Sequence, residues 1–271
     1  MRRIATVLFL AVLVLFLSVG WGPRAHLNLT KVALIHVEKS EPEAKPFVEA
    51  FKLHVTHVPE VYWMAPDLYE PGHAFDWNTP NWDGNIWIKT EQHYRALVED
   101  LRAKRWNDVP LQIGFVVHLC QDLTSPTQND RHYWGRIDDW FEAWVDVQTK
   151  VRKIAIIPGP ITYVPFFQVQ PYLRAQAKKA YANHEQFVGR MRQVLSSKKA
   201  KLLGLKFFHP SWNDFKDVFW TKDNKGRTCV PAFDIAAETA AQLILQAWNE
   251  AGRPTKFEHW NPHPKGGVSC W

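Results

Sequence analysis

Apolar and polar positions alternate at helical period through most of the chain, and the breaks fall at prolines and glycines. WGPRAHLNLTKVALIHVEKS, from Trp21 to Ser40, opens on a short Gly-Pro entry and then repeats every three to four residues, predicting a helix with His26 in its first turn or two. A second helix is expected from about Pro46 to Val58, with the proline near its start, where a missing N–H costs little. The next stretch, VYWMAPDLYEPGHAFDWNTPNWDGN, has no period and reads as a long loop rich in Pro, Gly, Asn, Asp and aromatics. Helical period resumes in IWIKTEQHYRALVEDLRAKR and again in PLQIGFVVHLCQDL, which Pro126 interrupts. IDDWFEAW predicts a further helix, and IIPGPITYVPFFQVQPY a Pro-punctuated connection, either a short strand or an extended cover over a cleft. Pro171 to about Leu203 predicts a long basic amphipathic helix, its charges a solvated face. FDIAAETAAQLILQAWNEAG is the last strong helix, stopped by Gly252 and Pro254. Thr255 to Trp271 has no period. The pattern predicts an all-α chain, a single multi-helix bundle.

Chemistry concentrates in two pairs. His118 and Asp122 stand four apart, so a helix turns both to one face, a turn apart, where they can grip one ion. Asp138 and Glu142 repeat the spacing. The pairs read as metal ligands, and the plain alternative is a solvated helix face or a satisfied buried histidine. Cys120, between His118 and Asp122, is expected to point away from them into the core, and His36, His54 and His57 read as surface or packing residues. There is no glycine-rich phosphate loop, internal repeat or G-x-S-x-G nucleophile motif, which leaves carboxylates and histidines to carry any chemistry.

Composition adds an address. MRRIATVLFLAVLVLFLSVG has two arginines, an apolar run and small residues at Ser18 and Gly20, the parts of a secretory signal cut before Trp21; an uncleaved single-span anchor is the alternative. Residues 1–20 are thus assigned to the signal and 21–271 to one domain, of secreted or extracytoplasmic location. The formal charge is +6, and losing Arg2 and Arg3 takes it to +4, too mild for the basic stripe of a dedicated nucleic-acid binder. Fourteen tryptophans are many for the length; most are expected in core or interfacial packing, and some, as in WNTPNWDGNIW, to line or rim a pocket. Of three cysteines, Cys229 and Cys270 are the expected bridge in an oxidising compartment.

The start WGPRAH, with APDLYE, EQHY, HLCQDLTSPTQ, DDWFE and AAQLILQAWNEAG, resembles the secreted zinc-dependent phospholipase C and single-strand-specific nuclease superfamily. The likeness touches nearly the whole chain after residue 20. It implies an all-α bundle with a zinc cluster at the base of a cleft. Carried over position by position, the amine and carbonyl of Trp21, with His26 and Asp122, hold one ion. Asp67, His93, His118 and Asp122 hold a second, with Asp122 bridging the two; His73 competes with His93 for its place. The third site departs from the family pattern, because Gln128 and Asp138 stand where histidines are expected, beside Glu142. That oxygen-rich set would hold zinc weakly, take a harder ion such as magnesium or calcium, or stay empty, with His132 a substitute ligand.

The implied chemistry is hydrolysis of a phosphodiester, in which a hydroxide held between two zinc ions attacks phosphorus and Asp67 orients it or takes its proton. The first expectation is a phospholipase C that cleaves on the glycerol side of the phosphate and touches a membrane surface peripherally. Arg24 favours an anionic headgroup over choline, and Trp77 and Trp82 hold the glycerol or stack on a base. The alternatives are a nuclease for single-stranded nucleic acid, to which the WGPRAH spacing is closer, and a catalytically weak metal-containing binding protein.

Overall fold

Six alanines in a single helix mark the middle of the molecule. Ala232, Ala236, Ala237, Ala240, Ala241 and Ala247 belong to Pro231–Glu250 (here α6), and all are fully buried, as are Phe233, Leu243, Ile244, Leu245 and Trp248. A helix with so wide an apolar face has to be covered by several neighbours, and small side chains let them come close. The computed structural model describes residues 23–57, 75–76, 83–125, 161–163, 165, 168–195, 221–222 and 228–260. Within them the helices are α1 (Pro23–Ser40), α2 (Lys45–His57), α3 (Ile86–Arg102), α4 (Val109–Asp122), α5 (Val169–Leu195) and α6, with a single 3-10 turn at Pro42–Ala44 between α1 and α2. The described chain is mostly helical, as its periodicity predicts.

Around α6 stand α1, α3, α4 and α5, and α2 packs on α1 and α4. Each presents a helical stripe: Ala25, Leu29, Val32, Ala33 and Val37 from α1, Phe47, Val48, Phe51 and Val55 from α2, Leu173, Ala177 and Ala180 from α5. Lys178 and Lys179 lie on the outer side of α5, the solvated face expected of that basic helix. No described helix is long and apolar enough to cross a membrane, and the proposed signal at residues 1–20 lies outside the described residues.

Helix directions follow from the contacts at one end. Arg253, just past α6, reaches Glu41 and Glu43 just past α1, while Glu250 meets Tyr94 and Arg102 of α3. The C-termini of α1, α3 and α6 therefore gather together. The turn Ala103–Asp108 reverses the chain, with Lys104 in the left-handed conformation at φ 58°, and sends α4 back the other way. The last turn of α4, with Asp122, consequently comes to the end of the bundle where α1 begins, and that places the site.

Beyond Gly252 the chain is held by aromatics: Phe257 and Trp260 pack on Phe51, the Trp260 indole N–H donates to the Ala50 carbonyl, and that of Trp248 to the Pro254 carbonyl. Cys270 and the side chain of Cys229 fall outside the described residues, so the expected bridge does too. Two short antiparallel ladders were not legible in the sequence: Phe75–Asp76 (β1) pairs with Asp83–Gly84 (β2), and Thr221–Lys222 (β3) with Thr228–Cys229 (β4).

Ile161–Tyr163, in the Pro-punctuated connection, forms no strand. The Ile161 N–H donates to Ser40 Oγ, Gln242 Nε2 donates to the Thr162 carbonyl, and the Tyr163 hydroxyl bonds Gln246 Oε1. Ser40 ends α1, about 21 Å along the helix from His26. These residues therefore cover the far end of the bundle, not a cleft at the site.

Candidate metal centre

The metal-capable group joins the first turn of one helix to the last turn of another. His26 is the fourth residue of α1, and His118 and Asp122 share the face of α4 turned toward it. His118 Nε2 lies 2.9 Å from Asp122 Oδ2, and His26 Nε2 lies 3.6 Å from Asp122 Oδ1. Each carboxylate oxygen thus faces a different imidazole. The rings stack, 4.5 Å between centroids and 1° between planes. All three side chains are fully buried, and one ligand atom from each falls within 4.8 Å of the others.

One residue that the motif spacing did not single out shapes this group. Gln121, fully buried beside Asp122, directs its Oε1 at His26 Nδ1 and its Nε2 at the His26 carbonyl, 3.3 Å, and at Thr30 Oγ1, 3.1 Å. Thr30 in turn donates to the same carbonyl at 2.9 Å. A signal for Gln121 does exist: it is an uncharged polar residue in the apolar run GFVVHLCQDL, where a side chain rich in donors and acceptors needs buried partners.

Cys120 takes the place expected of it, packed in the core, where burial above all, and the Asp122 charge after it, push its thiol well up. His93 does not join the group. It is the eighth residue of α3, its ring lies flat on Phe115 at 3.9 Å, and its Nδ1 meets Gln112 Oε1 at 2.9 Å. Phe115 stands about one turn before His118 on α4, so His93 packs on the same helix without being one of the three residues of the group. Trp21, Asp67, His73, Trp77, Trp82, Gln128, His132, Asp138 and Glu142 lie outside the described residues, as does the side chain of Arg24.

Among the described residues, then, two imidazoles and a carboxylate form a group that can hold a metal ion. Mixed nitrogen and oxygen donors suit zinc rather than magnesium or calcium, which take oxygen. Zinc holds such donors at about 2.0–2.2 Å, so neighbouring donors in a tetrahedron stand about 3.3 Å apart. The two separations in the group, 2.9 and 3.6 Å, bracket that value. No protein-family model matches the chain, and neither curated proteins nor solved structures provide a match.

Proposed function

We propose that the protein is an exported, zinc-dependent phosphodiester hydrolase of the phospholipase C kind, with its site where α1 and α4 meet. The observation that carries the reading is Asp122, whose two oxygens face His26 and His118 separately. That is the disposition a bridging carboxylate needs. In this reading His26 and Asp122 Oδ1 hold one ion with the amine and carbonyl of Trp21, which cleavage would leave two residues ahead of α1. His118 and Asp122 would hold the second with Asp67, and His93, which the resemblance also implies, packs against Phe115 outside the three-residue group. Gln128, Asp138 and Glu142 remain the ligands proposed for a third, altered site.

Bound zinc supplies a water of lowered pKa and positive charge for the phosphoryl oxygens. The chain's own residues do the rest: Asp67 accepts the proton of the attacking water, and Arg24 draws an anionic headgroup. Trp77 and Trp82 offer apolar faces to the glycerol portion. A second reading, a metal-containing binding protein without turnover, draws support from the complete burial of His26, His118 and Asp122, which suits a closed structural site better than an open catalytic one.

Elemental analysis of the purified protein, its N-terminus sequenced, and hydrolysis assays on mixed phospholipid vesicles and on single-stranded DNA decide among these. Zinc with release of diacylglycerol supports the proposal, and release of nucleotides replaces it with a nuclease. Stoichiometric zinc with no hydrolysis of either leaves the binding protein. Neither zinc nor hydrolysis removes both readings.

A further inference from the structure

We infer that Gln121 is a positioning residue that locks His26 in a single tautomer, with the proton on Nδ1 and the lone pair on Nε2 directed at Asp122. The orientation of the carboxamide comes first. Its Nε2 approaches the His26 carbonyl, which can only accept, at 3.3 Å, and Thr30 Oγ1 at 3.1 Å. Thr30 spends its own proton on that carbonyl, so toward Gln121 its oxygen also accepts. Turning the amide over would set its oxygen against the His26 carbonyl, which can only accept, and would cost Thr30 its bond to that carbonyl if it donated instead; the nitrogen belongs on that side.

Oε1 is thereby left against His26 Nδ1 in a buried contact, and Oε1 cannot donate. Nδ1 must carry the hydrogen. In a neutral imidazole the other nitrogen then holds the lone pair, and here it faces a carboxylate oxygen 3.6 Å away. A lone pair opposite an anion repels it, whereas a cation between them draws on both. Gln121 thus turns His26 from a hydrogen-bond donor toward Asp122 into a metal ligand, through partners 95 and 91 positions apart in the chain. This last step rests on the zinc reading given above, while the tautomer itself does not.

Two measurements separate them. A long-range proton–nitrogen correlation spectrum of the metal-free protein is expected to show His26 protonated at Nδ1; protonation at Nε2, or averaging between the two, overturns the inference. Competition of Zn2+ against a chromophoric chelator is then compared among wild type, Gln121→Glu and Gln121→Met. Methionine keeps the length and loses the acceptor, so Zn2+ affinity is expected to fall roughly 10–100-fold, the usual cost of losing an outer-shell partner. Glutamate keeps an acceptor oxygen for Nδ1–H and is expected to bind Zn2+ closer to wild type than methionine does. Wild-type affinity in Gln121→Met rejects the positioning role. Should that variant fail to fold, the wild-type spectrum still decides. A wild-type chain that takes no Zn2+ yet shows the Nδ1–H ring removes the zinc reading and leaves the tautomer standing.

Discussion

His26 and His118 lie face to face with their ring planes 1° apart, and the Nε2 atoms of both rings address the one carboxylate of Asp122. Asp122→Asn removes the anion that both rings face. It is expected to weaken Zn2+ binding by more than the roughly 10–100-fold typical of an outer partner. His26→Gln, which spares the α4 pair, should cost less. Chelator competition on the purified variants checks the order, and equal affinities for Asp122→Asn and wild type would falsify the bridge.

The amino end supplies a second prediction. α1 begins at Pro23, so a chain cut before Trp21 presents a free amine two residues ahead of the helix that carries His26. An amine and its own carbonyl chelate an ion in a five-membered ring, and an acylated amine cannot. Protein carrying extra residues before Trp21 should therefore hold less zinc per chain than protein trimmed there. Elemental analysis of the two forms is the check, and unchanged zinc content in the extended form rules out the chelate.

The helices were legible because their signal is local. Pro231–Glu250 lies within a few residues of the stretch its apolar run marks, and the four-residue spacing of His118 and Asp122 by itself put them on one face of α4. His26 is different: nothing near WGPRAH in the chain announces a partner on α4, and only the resemblance joined them. For Gln121 the apolar run signals a buried polar residue but not its partners, since its bonds go to His26 and Thr30, remote in sequence. The ladder of Phe75–Asp76 with Asp83–Gly84 is two residues long, too short to leave a period of two in a segment full of Pro, Asn and Trp. His93 matched the motif by residue type, and a motif carries no information on the Phe115 and Gln112 side chains that its ring meets.

Packing around α6 gives a third prediction. Ala240 is fully buried on a helix flanked by α1, α3, α4 and α5, so a larger side chain has nowhere to go without moving one of them. Ala240→Leu is expected to destabilise the fold by roughly 1–3 kcal/mol. Glu238→Ala, on an exposed position of the same helix, should stay within about 0.5 kcal/mol of wild type. Urea unfolding followed by circular dichroism measures both, and a neutral Ala240→Leu would mean that the centre of the bundle is loosely packed.

At the opposite end from the metal group, Tyr94 donates to Glu250 Oε1 at 2.8 Å, and Gln246 Nε2 donates to the same oxygen at 2.7 Å. Burial first, and then the hydrogen bond to this carboxylate, push the Tyr94 phenol far above its usual range. A pKa raised on folding means that the folded state favours the protonated phenol. Its contribution is fully present below the unfolded value of about 10 and is lost as pH rises from there toward the folded value. Tyr94→Phe should cost about 1 kcal/mol near neutral pH through the lost hydrogen bond. It should also flatten part of the fall in stability above about pH 10, the rest persisting because burial raises Tyr172 as well. Urea midpoints of wild type and variant, measured at neutral and at alkaline pH, test this; parallel curves for the two proteins would show that Tyr94 does not hold its proton against the alkaline medium.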